Sequence, residues 1–233
     1  MQIASNTAAA NRILSHLSET TPRGDFGSHV SDLTGCLRRR YRDRFDPAPG
    51  PSPFTLTFLR GAALHQLLSG NSAETSITVD GIIGTIDHVD DKDGLWEWKT
   101  TMMWNGKLDS PADWPESWLW QTAAYCYLAS TTVINVGVLH LQGDGFRKGP
   151  GTSRMPILRV YCVIFTPEEI AANWAMLQSR RDVLLKSVAD TAEPPVSYRL
   201  GSWECENCQH LAYCLPDLRL LGDKINMPTE SAT

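Results

Sequence analysis

Apolar and polar positions alternate through GLWEWKTT (94–101), which predicts a strand with Glu97 and Lys99 on one face and Trp96 and Trp98 on the other. Upstream, TSITVDGIIGTIDHVD (75–90) reads as one or two strands, and DDKDG ends in Asp93-Gly94, a strong hairpin signal. Residues 132–141 and 156–165 are apolar and β-branched, so they are predicted as strands. Helices are predicted from a Ser31 cap to about Arg44, over 54–69 with Leu64, Leu67 and Leu68 apolar-side, over 116–129, and from Thr166 to about 189. Residues 7–18 have modest helical character, and the last dozen residues read as a tail. Helices, three strands, a helix, two strands and a helix give an α/β (α+β) domain: a mixed sheet flanked by helices.

Composition sharpens this picture. The 233 residues are 42% hydrophobic and 20% charged, as in a folded globular protein. No apolar run reaches the ~20 residues of a membrane helix. The N-terminal segment lacks a basic start followed by an apolar core, so a cytoplasmic protein is expected. A net charge of −5 excludes a uniformly basic nucleic-acid coat, yet CLRRRYRDRF (36–45) is a local basic run with Arg38, Arg39 and Arg40 at its centre. Cys126 and Cys162 lie in apolar contexts and are expected to be buried thiols.

The hairpin carries the chemistry. Folding back at Asp93-Gly94 returns Asp87 towards Glu97, so two carboxylates and the Lys99 ammonium meet on one side of a sheet. Asp87, Glu97 and the backbone carbonyl of Trp98 offer oxygen ligands to a divalent cation, and Lys99 offers charge to a phosphate. The plain alternative is a surface hairpin with a cross-strand salt bridge. His65 adds an imidazole suited to Mn²⁺ beside carboxylates. Gln121 and Tyr125, four apart, share a helix face. Near the C-terminus, Cys205-x2-Cys208-x5-Cys214 supplies three soft ligands and needs a fourth, either His210 or the distant Cys36. Zinc and an iron–sulfur cluster both remain open on spacing alone.

In chain order these features form a series: Gly61 to His65, Gly84 to Asp87, Glu97 to Lys99, and Gln121 to Tyr125. The series resembles the RecB-like branch of the PD-(D/E)XK nucleases, with Ile86 standing where the name has proline. With Cys36 and the C-terminal cysteines, the chain is similar over about residues 31–215 to the iron–sulfur members, the CRISPR-associated exonucleases of the Cas-four type and the AddB nuclease domain. Leu37 departs from the proline often found after the first cysteine. The resemblance implies a restriction-endonuclease-like αβββαβ core and a metal (Mn²⁺ or Mg²⁺) held by His65, Asp87, Glu97 and the Trp98 carbonyl. It implies a catalytic Lys99, with Gln121 and Tyr125 orienting it or the DNA. It also implies a 4Fe-4S cluster on Cys36, Cys205, Cys208 and Cys214.

The expected activity is hydrolysis of DNA, mainly single-stranded and from an end. Trp104, Trp114, Trp118 and Trp120 are candidates for stacking on bases, Trp104 and Trp118 foremost, with Arg38, Arg39 and Arg40 on phosphates. A setting in CRISPR adaptation, phage recombination or DNA repair is expected, with the protein partners of those processes. Two rivals stand beside it: a catalytically silent nuclease fold that holds DNA ends or a protein, and a zinc-bearing regulator. The expected segments are an N-terminal helical segment (1–50), the nuclease core (51–200), a cysteine segment completing the cluster (201–216) and a tail (217–233).

Overall fold

The computed structural model describes residues 29–46, 55–69, 74–90, 92, 94–101, 111–141, 156–196, 204–205 and 208–220. The helical reading of 7–18, Trp104 and the tail beyond 220 lie outside them. The chain divides into two compact units. One contains 28–34 and 60–179; the other contains 1–27, 35–59 and 180–233.

The first unit holds the sheet. Strands β1 (Thr75–Val79) and β2 (Ile82–Ile86) form an antiparallel pair. Their turn puts Asp80 (φ 50°) and Gly81 (φ 74°) both in the left-handed region, as a tight hairpin turn needs. The Asp80 carboxylate accepts from Trp174 Nε1 at 3.0 Å and Gln178 Nε2 at 2.9 Å, which anchors the turn. A second sheet runs β3–β4–β5–β6, from β3 (His88–Asp90) and β4 (Gly94–Thr101) to β5 (Val133–His140) and β6 (Ile157–Ile164). The apolar stretch 75–90 thus becomes three strands, because the chain bends at Asp87 between β2 and the short β3. Pairing is antiparallel for β3–β4 and β5–β6 but parallel for β4–β5, with Glu97 opposite Val136 and Lys99 opposite Val138. A parallel pair needs a crossover, and a helix over Glu116–Leu128 supplies it. Ile134, Val136 and Val138 are fully buried and form the sheet's core contribution.

The helices depart from the sequence reading at two places. The expected Ser31–Arg44 helix is two: α1 (Val30–Leu33) and α2 (Leu37–Phe45). Their N-caps are His29 and Cys36, not Ser31, and Cys36 is extended (φ −68°, ψ 116°), so the chain leaves helical geometry just before α2. Helix α3 (Thr55–Ser69) forms as expected, but Leu67 is 74% exposed while Leu64 and Leu68 are half-buried. His65 and Ser69 point inward, and Leu67 lies about 200° round the helix from His65. The crossover helix is α4. Helix α5 (Pro167–Ala189) opens with a reciprocal capping box: Glu169 N–H donates to Thr166 Oγ1 at 3.2 Å, and Thr166 N–H to Glu169 Oε2 at 2.8 Å. Helix α6 spans Leu211–Leu220. Among the described residues no helix is long and apolar enough to cross a membrane.

Cys126 is fully buried, but the same expectation for Cys162 is corrected: its thiol is exposed. Strand β6 is the last in its sheet, and the face carrying Leu158, Val160, Cys162 and Ile164 is open to solvent along its length.

Candidate active site and cysteine pocket

Within the first unit, β4 delivers Glu97 and Lys99 to one face and Trp96 and Trp98 to the other. The two indoles stack with centroids 5.1 Å apart. Opposite Trp98 the neighbouring strand has Gly137, where a Cβ would fall 2.1 Å from the indole ring. The missing side chain seats the tryptophan, which in turn holds the strand that carries Glu97.

Asp87, at the bend after β2, ties three elements together. Its Oδ2 accepts from Trp98 N–H at 2.7 Å, and its Oδ1 lies 3.1 Å from His65 Nδ1. Its backbone carbonyl accepts from Ser69 Oγ at 3.2 Å. His65 and Ser69, one turn apart on α3, therefore both grip Asp87. Ser69 escaped the sequence reading, although its i, i+4 spacing from His65 is the signal that finds it.

On the same face Lys99 Nζ donates to Glu97 Oε1 and to Gln121 Oε1, each at 2.5 Å. Gln121 Nε2 donates to Tyr125 Oη at 2.7 Å. The buried tyrosine thus fixes the amide, and the amide presents its carbonyl to the ammonium. Gly84 completes the arrangement: a Cβ there would lie 2.2 Å from Leu128 Cδ1 and 3.2 Å from the Tyr125 ring. Trp118 stands beside Lys99, with the ammonium 5.9 Å from its ring centroid, and Trp114 is buried edge-on to Tyr161 at 5.2 Å. The sequence-predicted residues thus form two hydrogen-bonded groups, His65–Asp87–Trp98 and Glu97–Lys99–Gln121–Tyr125, joined through the Glu97–Trp98 peptide.

Electrostatics divide the two carboxylates. Burial pushes Glu97 up to about 8; Lys99 opposes the rise and the Asp87 charge adds to it. Burial would also raise Asp87, but the hydrogen bond and charge of His65 and the Trp98 amide outweigh it and hold Asp87 below the usual range. His65 is raised in turn: burial works against its charge, and bonding to Asp87 prevails. Glu97 Oε2 is buried with no hydrogen-bond partner among the described residues. An open carboxylate oxygen beside an imidazole and a second carboxylate is the donor set of a hard divalent cation.

The second unit gathers the cysteines. Cys36, Cys205, Cys208 and Cys214 line one pocket, with Arg39, Val196, Glu204, His210 and Leu211. His210 N–H donates to Cys208 Sγ at 3.4 Å, while His210 Nε2 lies 2.9 Å from Asp43 Oδ1. Burial drives the Cys36 thiol up to about 12, against the amides of Arg39 and Arg38. Arg38 is buried here. Its Nη1 pairs with Asp217 at 2.6 Å and its Nε donates to Pro194 O at 2.9 Å. Arg39 and Arg40 are half-buried. Glu204 was also missed from sequence; its place beside Cys205 is the available signal.

Among the described residues, no group of three or more His, Cys, Asp or Glu side chains is arranged to hold a metal ion as it stands. At the acidic site the candidates are paired with His65 and Lys99. At the pocket the four cysteines line one cavity. Four cysteines on one pocket are a donor set that fits a thiolate-bound group.

A mixed sheet with its crossover helix and an acid–lysine face defines a nuclease-type core. The chain belongs to the PD-(D/E)XK nuclease superfamily, which residues 4–215 match. Among solved structures it is similar in fold to SSO0001, with 18% identity over 89% of this chain and 95% of that one and a TM-score of 0.51. A phage related exonuclease from Haemophilus somnus 129PT aligns at 9% identity over 70% of this chain and 96% of that one, with a TM-score of 0.45. No curated protein matches.

Proposed function

We propose that this protein is a metal-dependent deoxyribonuclease that hydrolyses mainly single-stranded DNA from an end and carries a structural 4Fe-4S cluster. The observation that carries the reading is the Lys99 ammonium held between Glu97 Oε1 and Gln121 Oε1, with Tyr125 fixing the glutamine. His65, Asp87, Glu97 and the Trp98 carbonyl are the ligands for Mn²⁺ or Mg²⁺. Bound there, the cation neutralises phosphate oxygens and acidifies water. Lys99 meets the charge that develops on the phosphate, and its amide partner keeps it aimed at that point. Asp87, held ionised by His65, sets the position of the Glu97–Trp98 peptide through its bond to the Trp98 amide.

Trp118, next to Lys99, supports stacking on an unpaired base, and Trp104 extends the same reading. Arg39 and Arg40 are the half-buried members of the basic run suited to phosphates, whereas Arg38 is committed to Asp217 and Pro194. Four cysteines lining one cavity support a thiolate-bound group, and the choice of a cluster over zinc rests on the sequence resemblance. Partners in CRISPR adaptation or recombination rest on the sequence resemblance. The test is cleavage of end-labelled single strands with Mn²⁺ by the wild type and by Asp87→Ala, Glu97→Ala and Lys99→Ala. Each variant is expected to stay folded and to lose activity by at least about 100-fold. Wild-type rates in any of them would remove that residue from the site.

A further inference from the structure

The peptide bond joining Gly35 to Cys36 is gripped at both ends by buried charged side chains. Its carbonyl, on Gly35, accepts from Arg180 Nη2. Its N–H, on Cys36, donates to Glu204 Oε1 at 2.8 Å. Arg180 is 6% and Glu204 9% exposed. Buried charges are costly, and a fold rarely commits two of them to one peptide unit without a purpose. The two contacts join residues from positions 35–36, 180 and 204, so the grip is not a by-product of local chain geometry.

The unit so held carries Cys36, the one cysteine of the pocket that comes from the other end of the chain. Cys36 is the N-cap of α2, and its side chain lines the pocket beside the Arg38 and Arg39 amides. In an ordinary capping box the carboxylate at the third helical position would bond the cap's own N–H. That position is Arg39, which has no acceptor, and Glu204 performs the task from 168 residues away. The carboxylate also raises the Cys36 thiol through its charge. It fixes the ligand's position at an electrostatic cost to the thiolate, so its benefit lies in geometry.

We propose that Glu204, with Arg180 on the far side of the same peptide, is the positioning residue for Cys36 as a cluster ligand. The inference rests on the cluster reading given above. Both are tested on the full chain, purified anaerobically and reconstituted with ferrous iron and sulfide. The measurements are iron and sulfide per chain, the rate of iron loss to a chelator, the cluster's midpoint potential, and the thermal melt. Glu204→Ala is expected to lose iron about 10–100-fold faster than the wild type, as second-layer changes at metal sites do. Glu204→Gln retains an acceptor oxygen and is expected to restore slow loss, while its midpoint potential rises because a negative charge beside Cys36 is gone. A role in stability alone would lower the melt without moving the potential. A wild type that binds neither iron nor sulfide overturns the cluster reading and this inference with it. A wild type that holds the cluster, with Glu204→Ala matching its iron-loss rate, overturns the inference alone.

Discussion

Metal binding at the acidic site should release protons, and the amount follows from Glu97. Burial takes its pKa from 4.5 to about 8 in the metal-free protein. At pH 7 about nine-tenths of the chains then carry a proton on Glu97. A cation needs the carboxylate, so binding must expel roughly 0.9 proton from this group. Asp87 is held below the usual range and contributes none; His65 is raised and adds a fraction when its ring nitrogen is taken. Release at pH 7 is therefore expected to be at least about 0.9 proton, the share of Glu97 alone. Apparent affinity should climb at least roughly tenfold per pH unit well below pH 8 and flatten above it. The stability of the metal-free protein should run the other way. The folded pKa of Glu97 exceeds its unfolded value, so its contribution is intact below about pH 4.5 and is lost as pH rises towards 8. The loss has a ceiling on the order of 5 kcal/mol. Titration calorimetry with Mn²⁺, without DNA, in buffers of different ionisation enthalpy counts the protons directly. A heat independent of buffer at pH 7, or an affinity flat from pH 6 to 8, would refute the argument.

Gly84→Ala should cost about 1–3 kcal/mol and slow cleavage more than it weakens DNA binding, because the new methyl collides with Leu128 and crowds Tyr125; melts and steady-state kinetics test this. Cys36→Ala should bleach the protein, while Cys126→Ala and His210→Ala keep their iron; exposed Cys162→Ser should also keep it and shift stability by no more than about 0.5 kcal/mol. Mn²⁺ should support activity at least as well as Mg²⁺, and His65→Ala should narrow the difference, since imidazole favours Mn²⁺; equal metal preference in wild type and variant would place His65 outside the ligand set.

The acidic face was legible because a strand has only two faces. Once GLWEWKTT was read as β, Glu97 and Lys99 had to share a side, and they bond there. The spacing of Gln121 and Tyr125 likewise placed them one turn apart, where they meet. What periodicity could not supply was tertiary contact. Nothing in the run 31–44 announces that the chain leaves the helix before Cys36, because the residues that hold that peptide, Arg180 and Glu204, lie far along the chain. Arg38 reads as one more cation in a basic run, yet Asp217 and Pro194 take it inside. Cys162 looks buried because its neighbours are apolar, but local hydrophobicity does not reveal that β6 ends its sheet.

The cysteine pocket has a consequence for biosynthesis. Its first thiol is translated at position 36 and its second at 205, so 169 residues separate them. At about 5–20 residues per second the ribosome takes roughly 10–30 s to bridge that interval. For that time the emerging Cys36 thiol has no companions, and it carries an ordinary thiol's reactivity until burial protects it. Assembly of the pocket must wait until residue 214 has been made. Oxidants or stray metal ions have their best access to Cys36 while the polypeptide is still being synthesised.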